Sequence, residues 1–130
     1  MKTYRLLLMA IFLISLTHKL AAQKEIFIKQ IDFRLDKVSD IDYENEYFMT
    51  LKLNKGSNYV FRITNKKDVN PGEAILELMD ADNLIMTNIL GDKYFSAVTF
   101  QCNKTGFYDV LIKFKDNKLG YTIVDVLMNQ

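Results

Sequence analysis

Thr99-Phe100-Gln101-Cys102-Asn103-Lys104-Thr105-Gly106-Phe107-Tyr108-Asp109-Val110-Leu111-Ile112-Lys113-Phe114 is the stretch whose reading decides the fold. Phe100 and Cys102 share one parity before the polar centre. Tyr108, Val110, Ile112 and Phe114 share one parity after it. A period of two is the signature of a strand with one buried face. Asn103-Lys104-Thr105-Gly106 has turn composition, so the stretch predicts two strands joined as a hairpin. Gly106 is expected to let the chain reverse.

Working outward, the same grammar recurs. Upstream, Tyr94 to Cys102 follows a Gly91-Asp92-Lys93 turn, and Leu84 to Leu90 is an apolar strand. Asp80-Ala81-Asp82-Asn83 separates that strand from Ala74 to Met79, where Leu76 and Leu78 oppose Glu77. Asn65 to Gly72 is a polar loop with the only proline, Pro71. Tyr47, Met49, Leu51 and Leu53 alternate before Asn54-Lys55-Gly56-Ser57. Tyr59, Phe61 and Ile63 alternate after it, which predicts a second hairpin. Downstream, Asp116 to Gly120 turns into a last strand, Tyr121 to Met128. Near the other end, the apolar parity of Ile26 to Leu35 shifts across Lys29-Gln30, as a β-bulge would make it. Asp36 to Glu46 reads as a polar loop leading into an extended edge.

About eight short strands at this spacing, with no segment of helical period, predict an all-β fold. The expected architecture is a single jelly-roll-like antiparallel β-sandwich.

The first residues read as a secretory signal. Met1 to Arg5 is a basic start, Leu6 to Leu16 an apolar run, and Thr17 to Ala22 a polar stretch ending in small residues. The apolar run is shorter than the roughly 20 residues that cross a bilayer. A cut after Ala22 divides the chain into a signal peptide, 1–22, and a β-sandwich domain, 23–130. The mature chain is then expected in the periplasm or the extracellular space, with no transmembrane segment.

Cleavage changes the chemistry available. Removing Lys2, Arg5 and Lys19 from the 17 Lys and Arg leaves 14 against 16 Asp and Glu, a net charge near −2. That balance argues against a nucleic-acid partner, which needs a basic footprint. His18, the only histidine, leaves with the signal. Nucleophilic catalysis that pairs Ser or Cys with His is then closed, as are zinc sites built on His or several Cys. Cys102 is the only cysteine, so no internal disulfide forms. Its strand parity predicts a small buried hydrophobe.

Two stretches together resemble a known family. One is Leu53-Asn54-Lys55-Gly56-Ser57-Asn58-Tyr59-Val60-Phe61. The other is Leu76-Glu77-Leu78-Met79-Asp80-Ala81-Asp82-Asn83 followed by Thr105-Gly106-Phe107-Tyr108-Asp109-Val110. They look like the jelly-roll modules called bacterial pre-peptidase C-terminal domains and the related Golgi-dynamics-type sandwiches. The match spans most of Tyr47 to Val126. The resemblance implies a sandwich without catalytic residues of its own.

Two groups are candidates for a site. Asp40, Asp42, Glu44 and Glu46 are spaced by two, so an extended chain puts all four carboxylates on one side. Such a row suits calcium, a hard cation that prefers oxygen ligands; otherwise no cofactor is expected. The plainer reading of the same row is a solvated edge whose charges block strand pairing. The second group is aromatic: Tyr43 and Phe48, with Phe95 and Phe107, lie opposite the core parity or in loops. Exposed rings stack on sugars or anchor proteins.

The chain therefore reads as a secreted, non-catalytic binding or structural module whose partner is a protein or a glycan. The alternative is a carbohydrate-binding module, calcium-assisted through the acidic row. A small hydrolase is the remaining class, and it lacks an imidazole.

Overall fold

The computed structural model describes residues 24–129. The expected signal peptide, 1–22, lies outside the described residues. Ten strands follow in order: β1 (Glu25–Leu35), β2 (Tyr47–Leu53), β3 (Asn58–Asn65), β4 (Ala74–Asp80), β5 (Asn83–Thr87), β6 (Ile89–Leu90), β7 (Lys93–Tyr94), β8 (Ala97–Gln101), β9 (Gly106–Phe114) and β10 (Gly120–Asn129). Eight of them build two four-stranded antiparallel sheets, ordered β1-β10-β3-β8 and β2-β9-β4-β5. The short pair β6-β7 forms a separate hairpin. Apart from the β4-β5 hairpin, which stays in the second sheet, and the short β6-β7 pair, the chain steps back and forth between the two sheets, and its first described strand pairs with its last. That is the path of a jelly roll, as the alternation predicts.

The inward parity of each strand supplies the core. Ile31, Tyr59, Phe61, Val124 and Val126 from the first sheet face Leu53, Leu76, Leu78, Val110, Ile112 and Phe114 from the second. Each of these larger side chains stabilises the fold by about 1.5–3 kcal/mol through apolar area withdrawn from water. The parity shift in β1 is a bulge, with the register slipping between Phe27 and Lys29 against β10.

The expected hairpins are a different matter. β8 pairs with β3 in the first sheet, while β9 pairs with β2 and β4 in the second. The opening stretch is thus an arch that steps from one sheet to the other. The same holds for Leu53 to Asn58, which links β2 in the second sheet to β3 in the first. Facing across the core, Phe100 and Tyr108 meet edge-on with centroids 5.5 Å apart.

The two arches lie side by side and bond to each other. Gly56 N–H donates to the Cys102 carbonyl at 2.9 Å, Cys102 N–H to the Ser57 carbonyl at 3.0 Å, and Lys55 N–H to Thr105 Oγ1 at 2.8 Å. Gly56 holds φ at +89°, in the left-handed region. Gly106 has no positive φ and simply begins β9, so the reversal expected of it is made elsewhere.

Candidate functional site

Cys102 and Tyr108 sit inside the arch and serve packing. Cys102 is buried, and its thiol donates to the Lys104 carbonyl at 3.2 Å. The Tyr108 hydroxyl donates to the same carbonyl at 2.5 Å. Burial, reinforced by the contact with Cys102, pushes the Tyr108 phenol up to about 12. A group held neutral to that degree is a structural hydroxyl across the physiological range.

The acidic row does not run as an extended edge. Asp42–Asn45 is a turn of 3-10 helix, so the two-residue spacing no longer aligns the carboxylates. The loop is organised by an amide that sequence reasoning passed over. Asn45 is buried; its Oδ1 accepts from Ser39 N–H at 2.7 Å and its Nδ2 donates to the Ser39 carbonyl at 2.8 Å. Ser39 Oγ then donates to Glu44 Oε2 at 2.6 Å. Asp40 and Asp42 are exposed, and Glu46 is half-buried. Among the described residues no three Asp, Glu, His or Cys side chains gather closely enough to hold a metal ion.

The aromatic candidates are exposed, and two share one surface. Phe48 on β2 and Phe107 on β9 are 62% and 70% exposed on the outer face of the second sheet. Phe48 is paired with Leu111, and Lys52 with Phe107. On β4 and β5, Met79 is paired with Leu84, which is 52% exposed. Polar pairs run between these groups: Thr50 Oγ1 donates to Asp109 at 3.0 Å, and Lys113 meets Glu77 at 2.9 Å. The first sheet is also mixed, with Phe27 on β1 58% exposed. There Gln30 bonds Asp125, Tyr121 bonds Asp32 and Arg62 pairs with Glu25. Tyr43 lies apart on the 3-10 turn and is 72% exposed.

A third feature was not foreseen. At one end of the sandwich, where β3 finishes and β4 begins, the β6-β7 hairpin stands over a half-open cavity of about 280 Å³. Asn65, Lys67, Glu73, Asn88, Tyr94 and Phe95 contribute to its wall. Asn88 holds the hairpin in place. It is buried; its Oδ1 accepts from Leu76 N–H at 2.8 Å, and its Nδ2 donates to the carbonyls of Ala74 and Phe95 at 3.0 and 3.3 Å. The side chain thereby imitates a strand laid against β4. Its only signal in the sequence is a lone amide inside the apolar run Leu84 to Leu90.

Asn65 is the other unusual group in this wall. Its Nδ2 donates to Glu73 Oε2 at 3.2 Å, and its Oδ1 is buried without a partner. A carboxylate only accepts, so the nitrogen must face Glu73 and the oxygen is the orphan. Lys67 pairs with the other oxygen of Glu73. Lys115 Nζ lies 5.7 Å from the centroid of the Tyr94 ring.

Comparison with known proteins gives structural neighbours. No protein-family model matches the chain, and no curated protein matches it. The pre-peptidase C-terminal domain of a collagenase from Bacillus anthracis superposes with a TM-score of 0.56 at 16% identity. The overlap covers 75% of this chain and 87% of that one. A periplasmic inhibitor of g-type lysozyme from Aeromonas hydrophila superposes with a TM-score of 0.52 at 11% identity, over 83% and 89% of the two chains. At these identities the likeness is one of fold: the chain has the sandwich of a pre-peptidase C-terminal domain, and a lysozyme inhibitor is built on a similar one.

Proposed function

We propose that the protein is an exported, non-catalytic module that binds a protein partner through the outer face of its second sheet. The observation that carries this reading is the pair of rings, Phe48 and Phe107, held on neighbouring strands and more than half exposed. Aromatic rings fixed on a rigid sheet cost little conformational entropy to bury, and they are enriched in protein interfaces. One structure of similar fold is named as an inhibitor of a lysozyme, so a similar sandwich serves in that protein to act on another protein.

The test is the double substitution Phe48→Ser and Phe107→Ser. Both side chains lie outside the core, so the melting temperature should stay close to that of the parent. Covalent cross-linking in the native envelope should join the parent to one discrete protein at near-stoichiometric yield. The double variant should lose that product. An undiminished product, or none with the parent, sinks the reading.

Carbohydrate binding is the second reading. The end cavity favours it, since two aromatic residues, Tyr94 and Phe95, are among those that line it.

A further inference from the structure

We propose that the first half of β1 docks on an anionic lipid surface, seating Ile26, Phe27 and Ile28 among the headgroups with Lys24 and Lys29 beside the phosphates. The inference goes beyond the protein-partner reading, which rests on Phe48 and Phe107 in the other sheet.

The starting point is a half-strand that is paired yet buries nothing. Every residue from Lys24 to Gln30 is exposed, and Ile31 is the first to be buried. Even so, β1 is laddered to β10 from Glu25 onward. Ile26 is paired with Met128, which packs against the core, but Ile26 itself is 38% exposed. The second sheet therefore does not cover this end of β1. Phe27 has the opposite parity and is 58% exposed, while Ile28, in the bulge, is 41% exposed. Three large apolar side chains thus project from one overhanging segment. Contiguous exposed apolar groups of this kind mark interaction sites.

The backbone at this edge is closed to a further strand. Lys29 takes the core-facing parity opposite Val126, and the register breaks between Phe27 and Lys29. A charge of that parity and a bulge are two devices that stop an edge from pairing with a second copy or a peptide. The occupant is therefore met by side chains.

Charge selects the occupant. Lys24 and Lys29 flank the apolar trio, and neither has a carboxylate partner among the described residues. Glu25, the acid between them, is paired with Arg62. The row Glu25-Asn129-Asn58-Gln101 crosses the first sheet at this end, and the two arches just beyond it add the exposed Lys55 and Lys104. Asp80 and Asp82 turn between β4 and β5, at the edge of the second sheet away from β2, and β2 is the strand that meets β1 through Tyr47 and Phe33. Apolar side chains flanked by unpaired ammonium groups are complementary to a surface of anionic headgroups. The path of the chain agrees. The apolar run ends at Leu16, and the seven residues from Thr17 to Gln23 span at most about 25 Å before Lys24. Export through that run holds this edge of the sandwich close to the bilayer.

The experiment is vesicle co-sedimentation of the chain from Gln23 to Gln130, which holds both sheets and the whole described core. Vesicles of equimolar phosphatidylcholine and phosphatidylglycerol should half-saturate binding at or below about 1 mM lipid, and phosphatidylcholine alone should bind at least about fivefold more weakly. Added salt should weaken the binding by screening. Phe27→Ser should lose at least about fivefold, and Lys24→Gln with Lys29→Gln should lose the preference for the anionic lipid. A second readout does not depend on the loss of a side chain. The sequence has no tryptophan, so Phe27→Trp supplies a single reporter. Its emission should shift to the blue with the mixed vesicles, while that of Phe95→Trp, at the opposite end of the sandwich, should not.

Absence of binding to the mixed vesicles would overturn the proposal. So would binding unchanged in Phe27→Ser, Phe27→Trp emission that does not move, or a photo-cross-linker at position 27 that captures a protein from the native envelope in place of lipid. Loss of vesicle binding in the Phe48→Ser, Phe107→Ser variant would assign the lipid contact to the other sheet and overturn it too. The protein cross-link made by that other face should survive Phe27→Ser, so the two readings fail separately.

Discussion

Gly120 packs directly on the Phe114 ring. A methyl group there would sit 2.2 Å from two ring carbons. The ring has nowhere to go, being buried and stacked on Phe33 with centroids 5.3 Å apart. Gly120→Ala should therefore cost about 3 kcal/mol through overpacking. Gly106 faces open space and has ordinary backbone angles, so Gly106→Ala should stay within about 0.5 kcal/mol of the parent. Urea unfolding of both variants reads the contrast, with unchanged slope confirming that only stability moved. Equal losses in the two would show that the packing at Gly120 is not what we describe. These glycines also show how far single residues were legible. Turn composition located the reversal near Gly106 but not the residue that takes the left-handed angle, which is Gly56 in the neighbouring arch. The burial of Cys102 and Tyr108 was legible because parity alone decides it.

At the scale of elements, parity told which side of each strand is buried, but not which strand lies beside it. A strand that leaves an arch and one that leaves a hairpin have the same alternation, since either way one face meets the core. The arches at Leu53–Asn58 and Gln101–Gly106 were therefore read as hairpins. The separating information lies in long-range contacts, such as Lys55 N–H on Thr105 Oγ1, 50 residues away. The extended alignment expected of the acidic row is absent for a related reason. Its spacing aligns carboxylates only in an extended chain, and the buried Asn45 amide folds the segment into a turn. Asn88 does the same work for the β6-β7 hairpin, and it supports a prediction at this scale. Asn88→Ala strips partners from the Leu76 N–H and the Ala74 carbonyl, both on a buried strand. Two buried groups left unpaired should cost about 2–4 kcal/mol. Hydrogen exchange should accelerate first at the Leu76 and Phe95 amides, ahead of Val110 and Val124 in the centre. Uniform acceleration across the sandwich would mean that Asn88 supports global packing rather than this hairpin.

For the whole molecule, composition and period sufficed for the class of fold, since two strongly alternating sets of strands have few ways to bury their faces other than against each other. The sites were less legible because they depend on surfaces that several strands assemble. Phe48 and Phe107 are 59 residues apart in sequence yet share the outer face of one sheet. Asn65 meets Glu73 only after β3 and β4 have taken places in opposite sheets. This topology has a consequence for folding. β10 is the strand between β1 and β3, and without it β1 has no ladder partner in the first sheet. Val124 and Val126 would also leave the core, along with the Gly120 contact on Phe114. Removing Gly120 to Gln130 should therefore abolish cooperative unfolding, rather than lower its midpoint by a few degrees. The intact chain must pair distant segments before burial compensates for loop closure, so refolding should take milliseconds to seconds, as in other sandwiches. Circular dichroism during a thermal ramp checks the first expectation, and stopped-flow refolding from urea checks the second. A truncated chain that still melts in a sharp transition would show that the two sheets are held by β3, β8 and the second sheet alone, and that β1 and β10 are an addition to a core already complete.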